Sequence, residues 1–321
     1  MKLLVTGGAG YIGSVVATRL LEEGHTVTVL DDLSTGHRDA VPEGAAFVQA
    51  RVHQAAQILG ASEDMSGFDG AVHLAAASLV GESVANPAKY QENNVVGSTL
   101  LVDALVAAGV PRIVFSSTAA VYGDPDKTPI DEDAPAKPVN PYGESKLAID
   151  QALHERCAGG SLAAVSLRYF NVAGAYAGKG ERHTTETHLI PIALDVALGR
   201  RPQLAVYGED YPTADGTCIR DYIHVADIAD AHLLALQKCQ PGRHDIYNLG
   251  NGNGSSVMEV IGAVEEVTGR KLALSKEARR AGDPAVLVAS AERAMEHLGW
   301  QPARPALHQM IGDAWQLVAA N

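Results

Sequence analysis

Cysteine is scarce, with three residues among 321 (Cys157, Cys218 and Cys239), far apart and odd in number. That excludes a disulfide framework and a paired-cysteine metal site, and leaves them as buried free thiols. Histidine numbers twelve, yet no HExxH or comparable spacing occurs, so no protein-bound metal is expected. Bases are in deficit, 25 against 38 acids for a net charge of −13, which argues against nucleic-acid binding through a general basic surface. An anionic small substrate then requires arginines gathered in one pocket. Long apolar runs are missing, and none approaches the roughly 20 residues of a membrane span. The N-terminus enters a strand without the basic region and small-residue cleavage site of a leader peptide, so the expected compartment is the cytoplasm.

What remains is an ordinary globular composition, 46% hydrophobic and 20% charged, in a chain long enough for two domains. Apolar runs predict strands at Leu3–Thr6, Thr26–Leu30, Ala46–Gln49, Gly70–Leu74, Arg112–Ser116 and Ala163–Arg168. Helical patterns lie between them at Ser14–Glu23, Pro87–Ala108 and Tyr142–Ala158. This alternation implies an α/β fold, a Rossmann-type doubly wound parallel sheet with ligands beyond the carboxyl ends of its strands. After Phe170 the pattern changes. Gly174–Thr187 reads as a polar loop, Leu189–Leu198 as a helix, Leu204–Tyr207 as a short strand and Ile246–Leu249 as a strand returning to the first sheet. The expected division is residues 1–170, with 222–250 returning, and a smaller α/β domain over 171–321.

Residues 1–31 carry the first chemical signal. A strand breaks into glycines at Gly7, Gly10 and Gly13, a helix follows, and a second strand ends in Asp31. Glycines admit a pyrophosphate to the backbone, and a helix N-terminus meets it with unpaired N–H groups. Asp31 is placed to accept ribose hydroxyls and to repel a 2′-phosphate, which favours NAD over NADP. Tight strand-to-helix turns also use glycines without any ligand; the flanking elements and the acid favour the cofactor.

The second signal is Tyr142-Gly-Glu-Ser-Lys146 after Pro141. A spacing of four puts Tyr142 and Lys146 on one helix face. A tyrosine titrates near 10, so a basic role near neutrality needs a depression of about three units, or about 4 kcal/mol. Burial works against that; a nearby lysine and the positive nicotinamide ring work for it. Between the two signals, Ser116-Ser117-Thr118 ends a strand in hydroxyls, open to ligand contact or to turn and capping chemistry.

With these stretches in hand, the chain resembles the extended short-chain dehydrogenase/reductase superfamily, and within it the UDP-glucose 4-epimerase family. The matching segments are TGGAGYIG, LDDLSTGH, FSSTAAVYGD, NPYGESKL, LRYFNVAGA, YGEDYPTADGTCIRDYIHV, YNLGNG and RRAGDPA. The resemblance implies NAD-dependent 4-epimerisation of a UDP-hexose through a transient 4-keto sugar. It implies NAD held by Gly7, Gly10, Tyr11, Ile12, Gly13, Asp31, Asp32, Val52, Leu74, Ala75, Ala76, Asn93, Ser116 and Tyr169. Tyr142 and Lys146 match the catalytic pair, and Thr118 a hydroxyl on the sugar O4. Phe170, Asn171, Leu189, Tyr207, Arg220, Arg280 and Asp283 match nucleotide-sugar contacts, with His188 where the family has an asparagine on the diphosphate. Arg51 stands where an acid often binds the adenine amino group, and Ser78 replaces a lysine. Leu287 stands at the gate for the sugar 2-substituent. The resemblance also implies a homodimer through 87–108 and 142–158, helices that by themselves need only cover the sheet.

Three rival readings differ in detail. A nucleotide-sugar 4,6-dehydratase needs an Asp-Glu pair after the hydroxyl residue, but Thr118 precedes Ala119 and Ala120. A 4-epimerase of a UDP-N-acetylhexosamine, uronate or pentose differs only in the pocket. A non-catalytic NAD-sensing protein would not need both Tyr142 and Lys146.

Overall fold

A computed structural model describes residues 1–160, 162–280 and 283–320. Seven parallel strands form its centre: β1 (Lys2–Thr6), β2 (Thr26–Asp31), β3 (Ala46–Gln49), β4 (Gly70–His73), β5 (Arg112–Thr118), β6 (Ala163–Tyr169) and β7 (His244–Leu249). Their order is β3-β2-β1-β4-β5-β6-β7, so the winding direction reverses between β1 and β4. Side chains alternate across the sheet. Leu3, Val5, Val27 and Val29 face one layer, with the helices Tyr11–Glu22 and Val225–Lys238. Leu4, Leu30, Ile113 and Phe115 face the other, with Gly97–Ala107 and Pro141–Ala158. Both faces are dry, which is why the strands read as continuous apolar runs.

The sequence predicts one helix over Pro87–Ala108; the chain instead forms Pro87–Tyr90, a π-helical stretch Gln91–Val96 and Gly97–Ala107. The widened turn carries Asn94 inward. Its amide accepts from the Ala77 N–H at 2.8 Å and donates to the Ala77 carbonyl at 2.9 Å and to Ser145 Oγ at 3.0 Å. Hydropathy periodicity cannot register such a bulge.

The remaining elements pack around a separate apolar cluster that includes Ile190, Leu194, Val260, Val264, Met310 and Ile311. Short strands at Leu204–Tyr207 and Leu274–Glu277 pair in parallel, and Ile219–Arg220 lies between Ser255–Ser256 and Val286–Leu287. Among the described residues, no helix is long and apolar enough to cross a membrane.

Candidate active site

The glycine turn leaves β1 toward the winding reversal. Gly7 has φ +74°, and a Cβ there would lie 2.5 Å from the Ala75 nitrogen. At Gly13 a Cβ would sit 2.1 Å from the Gly7 carbonyl oxygen, so the helix start rests directly on the turn. Gly10 differs: its Cβ would approach only the Gly7 oxygen, at 3.3 Å. Two glycines serve internal packing and the third leaves the outer side open. No side chain caps the helix at Gly10, so the first-turn N–H groups of Tyr11, Ile12 and Gly13 remain for an anion.

Asp31 ends β2 with its carboxylate accepting from Ala9 N at 3.0 Å and Leu33 N at 2.9 Å. It is 7% exposed, and burial raises its pKa above the ordinary range against the pull of those two N–H groups. Each oxygen keeps a lone pair for a ribose hydroxyl. Asp32 accepts from Ser34 N at 2.9 Å. Arg51 is exposed and its Nε lies 3.7 Å from Asp32, beside buried Val52. Leu74, Ala75 and Ala76 continue from β4, with Leu74 N bonded to the Thr6 carbonyl at 3.0 Å. Asn93 stands on the π-helical stretch next to Asn94. The close-approach turn, the uncapped helix and the terminal acid fit a dinucleotide such as NAD.

At the ends of β5 and β6 lie the reacting groups. Asn140 caps the helix Pro141–Ala158 by accepting from Gly143 N at 2.9 Å, and Ser145 Oγ donates to the Tyr142 carbonyl at 2.7 Å. This fixes the turn that bears Tyr142 and Lys146. The Lys146 ammonium is 2% exposed, donates to the Ser116 carbonyl at 2.7 Å and lies 6.0 Å from the Tyr142 ring centroid. Burial pushes its pKa down to about 7, with Asp150 pulling the other way. Burial raises the Tyr142 phenol pKa, and a hydrogen bond with Thr118 lowers it. Thr118 Oγ1 also accepts from Ala120 N at 3.2 Å, so it is a cap as well as a neighbour of the phenol. Tyr169, paired in register with Thr118, holds its hydroxyl 2.7 Å from His232 Nε2 and also bonds the Ser116 side chain. Ser117 turns away, donating to Asp150 at 3.3 Å.

Arginines do converge, as an anionic ligand requires. Arg220 pairs with Asp283 and bonds the Ile219 carbonyl at 2.7 Å, and the Arg280 guanidinium stacks 4.0 Å over the Tyr207 ring. Arg220, Arg280 and Asp283 all bear on the Cys218 thiol. Asp221, next to Arg220 in sequence, is not its partner; it is buried and accepts from Asn251, Gly252 and Ala289 N–H groups. Leu287 packs in a small cluster with Phe170, Val121 and Tyr122, close to Thr118 along the chain. Asn171 N bonds the Asp221 carbonyl at 3.0 Å. Leu189 begins the helix Leu189–Ala197 and packs against its apolar cluster.

His188, expected from the resemblance at the diphosphate, meets two carboxylates. Its Nδ1 lies 2.7 Å from Glu186 and 2.9 Å from Glu181. The sequence predicts no metal-ligand cluster, yet Glu181, His183, Glu186 and His188 come together. Their spacing falls on a loop, where helical motif searches do not look. Sequence reasoning also missed Asn94 and the buried Arg168–Asp150 pair at 2.9 Å, which are legible only in three dimensions.

Residues 3–250 match the model of the NAD dependent epimerase/dehydratase family. The chain is 52% identical over 320 residues to the UDP-glucose 4-epimerase of Corynebacterium glutamicum, covering 100% of this chain and 96% of that protein. It is 53% identical over 315 residues to the UDP-glucose 4-epimerase of Streptomyces lividans, covering 98% and 95%. The crystal structure of UDP-glucose 4-epimerase from Brucella ovis in complex with NAD superposes with a TM-score of 0.93 at 42% identity, covering 98% of this chain and 97% of that one.

Proposed function

The chain belongs to the NAD dependent epimerase/dehydratase family, and from that premise we propose that it interconverts UDP-glucose and UDP-galactose by NAD-dependent 4-epimerisation. The observation that carries the reading is the Tyr142–Lys146–Thr118 group at the same carboxyl edge of the parallel sheet as the glycine turn, with Ala119 and Ala120 where dehydration would need an acid and a base.

Bound NAD would supply reversible hydride acceptance at the sugar C4. Gly7, Gly10, Gly13 and the first turn of Tyr11–Glu22 would hold its pyrophosphate, and Asp31 the adenosine ribose. On this reading Asp32 and Val52 would contact the adenosine half, and Leu74, Ala75, Ala76, Asn93, Ser116 and Tyr169 the nicotinamide half. Tyr142 removes the proton of the 4-hydroxyl and later returns it, while Thr118 orients that hydroxyl. Lys146 supplies positive charge next to the phenol and holds Ser116. Arg220 and Arg280 pair the diphosphate oxygens, since a planar guanidinium matches two oxygens at once. Tyr207, Asp283, Asn171, Phe170, Leu189 and Leu287 complete the wall around the nucleotide sugar. The intermediate 4-keto sugar then turns its other face to the cofactor within this pocket.

We assign residues 1–170 and 222–250 to cofactor binding and the rest of 171–321 to the nucleotide sugar. The unpaired thiols suit a cytoplasmic location. A homodimer through 87–108 and 142–158 is supported by the exposed apolar side chains Val80, Val84 and Leu100 on and beside that segment. Incubation of the purified protein with UDP-galactose and chromatographic separation of the products tests the assignment. UDP-glucose is the expected product; a 6-deoxy-4-keto product would sink it.

A further inference from the structure

The loop between Gly174 and the helix Leu189–Ala197 gathers four donor groups that the reaction does not use. One ligand atom from each of Glu181, His183, Glu186 and His188 lies within 4.8 Å of the others. His183 Nδ1 stands 2.9 Å from Glu181 Oε1 and 3.6 Å from Glu186 Oε2, and His188 Nδ1 stands 2.9 Å and 2.7 Å from Glu181 Oε1 and Glu186 Oε1. Donors around a tetrahedral zinc, at about 2.0–2.2 Å from the ion, are about 3.4 Å apart, so these spacings need only small side-chain shifts.

Three features point to a cation. The Glu181 and Glu186 side chains are only 11% and 9% exposed, and two carboxylates that dry need two positive charges nearby, which two charged imidazoles or one divalent ion can provide. A divalent ion supplies both and leaves the imidazoles neutral, as ligands must be. His183 Nδ1 is shut off from solvent and makes no aligned hydrogen bond. Glu186 Oε1 is held by the Thr187 and His188 N–H groups, both at 2.7 Å, the kind of outer support that orients a ligating carboxylate.

We propose that Glu181, His183, Glu186 and His188 bind one divalent transition-metal ion, zinc by its two-nitrogen, two-oxygen set, and that this ion fastens the loop over the glycine turn. Four protein ligands make a closed, structural site rather than one that activates water. The loop already reaches that side of the molecule. Arg182, between the ligands, forms a two-pronged pair with Asp39 at 2.8 and 2.9 Å, and its carbonyl lies 2.9 Å from His37 Nε2. Tyr11, the first residue of the helix after the turn, donates to the Gly174 carbonyl at 2.5 Å. The fastening of a cofactor beneath the loop rests on the reading above; the ion site does not.

The full-length protein, produced with zinc in the medium and gel-filtered, is analysed by plasma mass spectrometry. About one zinc per chain is expected, falling below about a tenth in His183→Ala and Glu186→Gln and unchanged in His308→Ala. Titration of chelator-stripped wild type with zinc against a chromogenic indicator covers the case in which those variants fail to fold. No stoichiometric zinc in either measurement overturns the site. Hydrogen exchange of residues 174–188 should then quicken at least about tenfold on stripping, as the loop opens locally. Unchanged exchange, with zinc bound, overturns the fastening. Neither readout depends on turnover of UDP-galactose, so failure here is distinct from failure of the epimerase assignment.

Discussion

Tyr142 sits in an environment that resists its proposed role until the pocket fills. Burial raises the phenol pKa, the Thr118 hydrogen bond opposes that, and Lys146 is itself only partly charged near neutrality. On the proposed reading a bound nicotinamide ring, positive in its oxidised form, would add to that bias, which would tie basicity to the cofactor. Tyr142→Phe should keep fold and cofactor while turnover falls by several orders of magnitude, read as UDP-galactose conversion beside the NAD released on denaturation; near-normal turnover would show the base lies elsewhere. Lys146 has a pH signature in stability. Its value in the fold, about 7, lies below the ordinary 10.5, so between those limits the unfolded chain binds more protons than the folded one. Stability therefore rises with pH across that window, and the full cost of burial is present below about 7. Urea unfolding of NAD-free wild type and Lys146→Met should differ with a slope of at most about 1.4 kcal/mol per pH unit between pH 7 and 9, and parallel curves would refute the buried ammonium. Leu287 packs, like Phe170, against the cluster of Val121, Tyr122 and Ile130, and on the proposed reading its branched side chain, shorter than a tyrosine, should leave intermediate room for the sugar 2-substituent. UDP-N-acetylhexosamines should react weakly, since overfilling a packed site costs about 1–3 kcal/mol, roughly ten- to a hundred-fold in rate. Leu287→Ser should raise N-acetyl turnover relative to UDP-galactose; equal turnover of both sugars by the unmodified protein would remove Leu287 as the gate.

Elements bearing the strongest local patterns were the most legible. The turn from β1 into Tyr11–Glu22 was readable because three glycines and a terminal acid have few other uses together, and Pro141 after Asn140 marked the helix start. The interrupted segment 87–107 was not readable, because Asn94 turns inward for hydrogen bonds to Ala77 and Ser145, partners 17 and 51 residues away. The cluster at 181–188 was hidden for a similar reason: its donors converge through loop geometry rather than helical spacing. Within the glycine turn the three positions should separate experimentally. A Cβ at Gly13 meets backbone at 2.1 Å and one at Gly7 meets backbone at 2.5 Å, so alanine at either position should destabilise the fold itself. A Cβ at Gly10 meets only the Gly7 oxygen, at 3.3 Å. Gly10→Ala should melt close to wild type when both are free of NAD, yet retain much less NAD through purification. An equal loss of NAD-free stability at all three positions would show that Gly10 serves packing and not the pyrophosphate.

At the scale of the molecule, the cofactor-binding half is not contiguous in sequence. β7 completes the sheet beside β6, with Ile246 paired to Ser166 and Leu249 to Tyr169. The helix Val225–Lys238 covers one sheet face and lies against Tyr11–Glu22, with Val225, Ile228 and Leu236 fully buried and Leu233 nearly so. Tyr169 reaches the same helix through His232, and Trp300 bonds the Asp227 carbonyl at 2.8 Å from the far end of the chain. A fragment ending at residue 170 would lose this helix and β7 together. Burying one such aliphatic side chain is worth about 1.5–3 kcal/mol, so four amount to about 6–12 kcal/mol, before counting the core they cover. A typical domain has only about 5–15 kcal/mol in total. Residues 1–170 alone should therefore expose the apolar face of β1, β4 and β5 and fail to fold cooperatively, despite containing the glycine turn, Asp31, Tyr142 and Lys146. Circular dichroism melting, dye binding to exposed apolar surface and NAD titration of the purified fragment check this. A soluble fragment with a sharp melting transition and saturable NAD binding would show that the returning helix and strand are an addition to the cofactor site and not part of what holds it together.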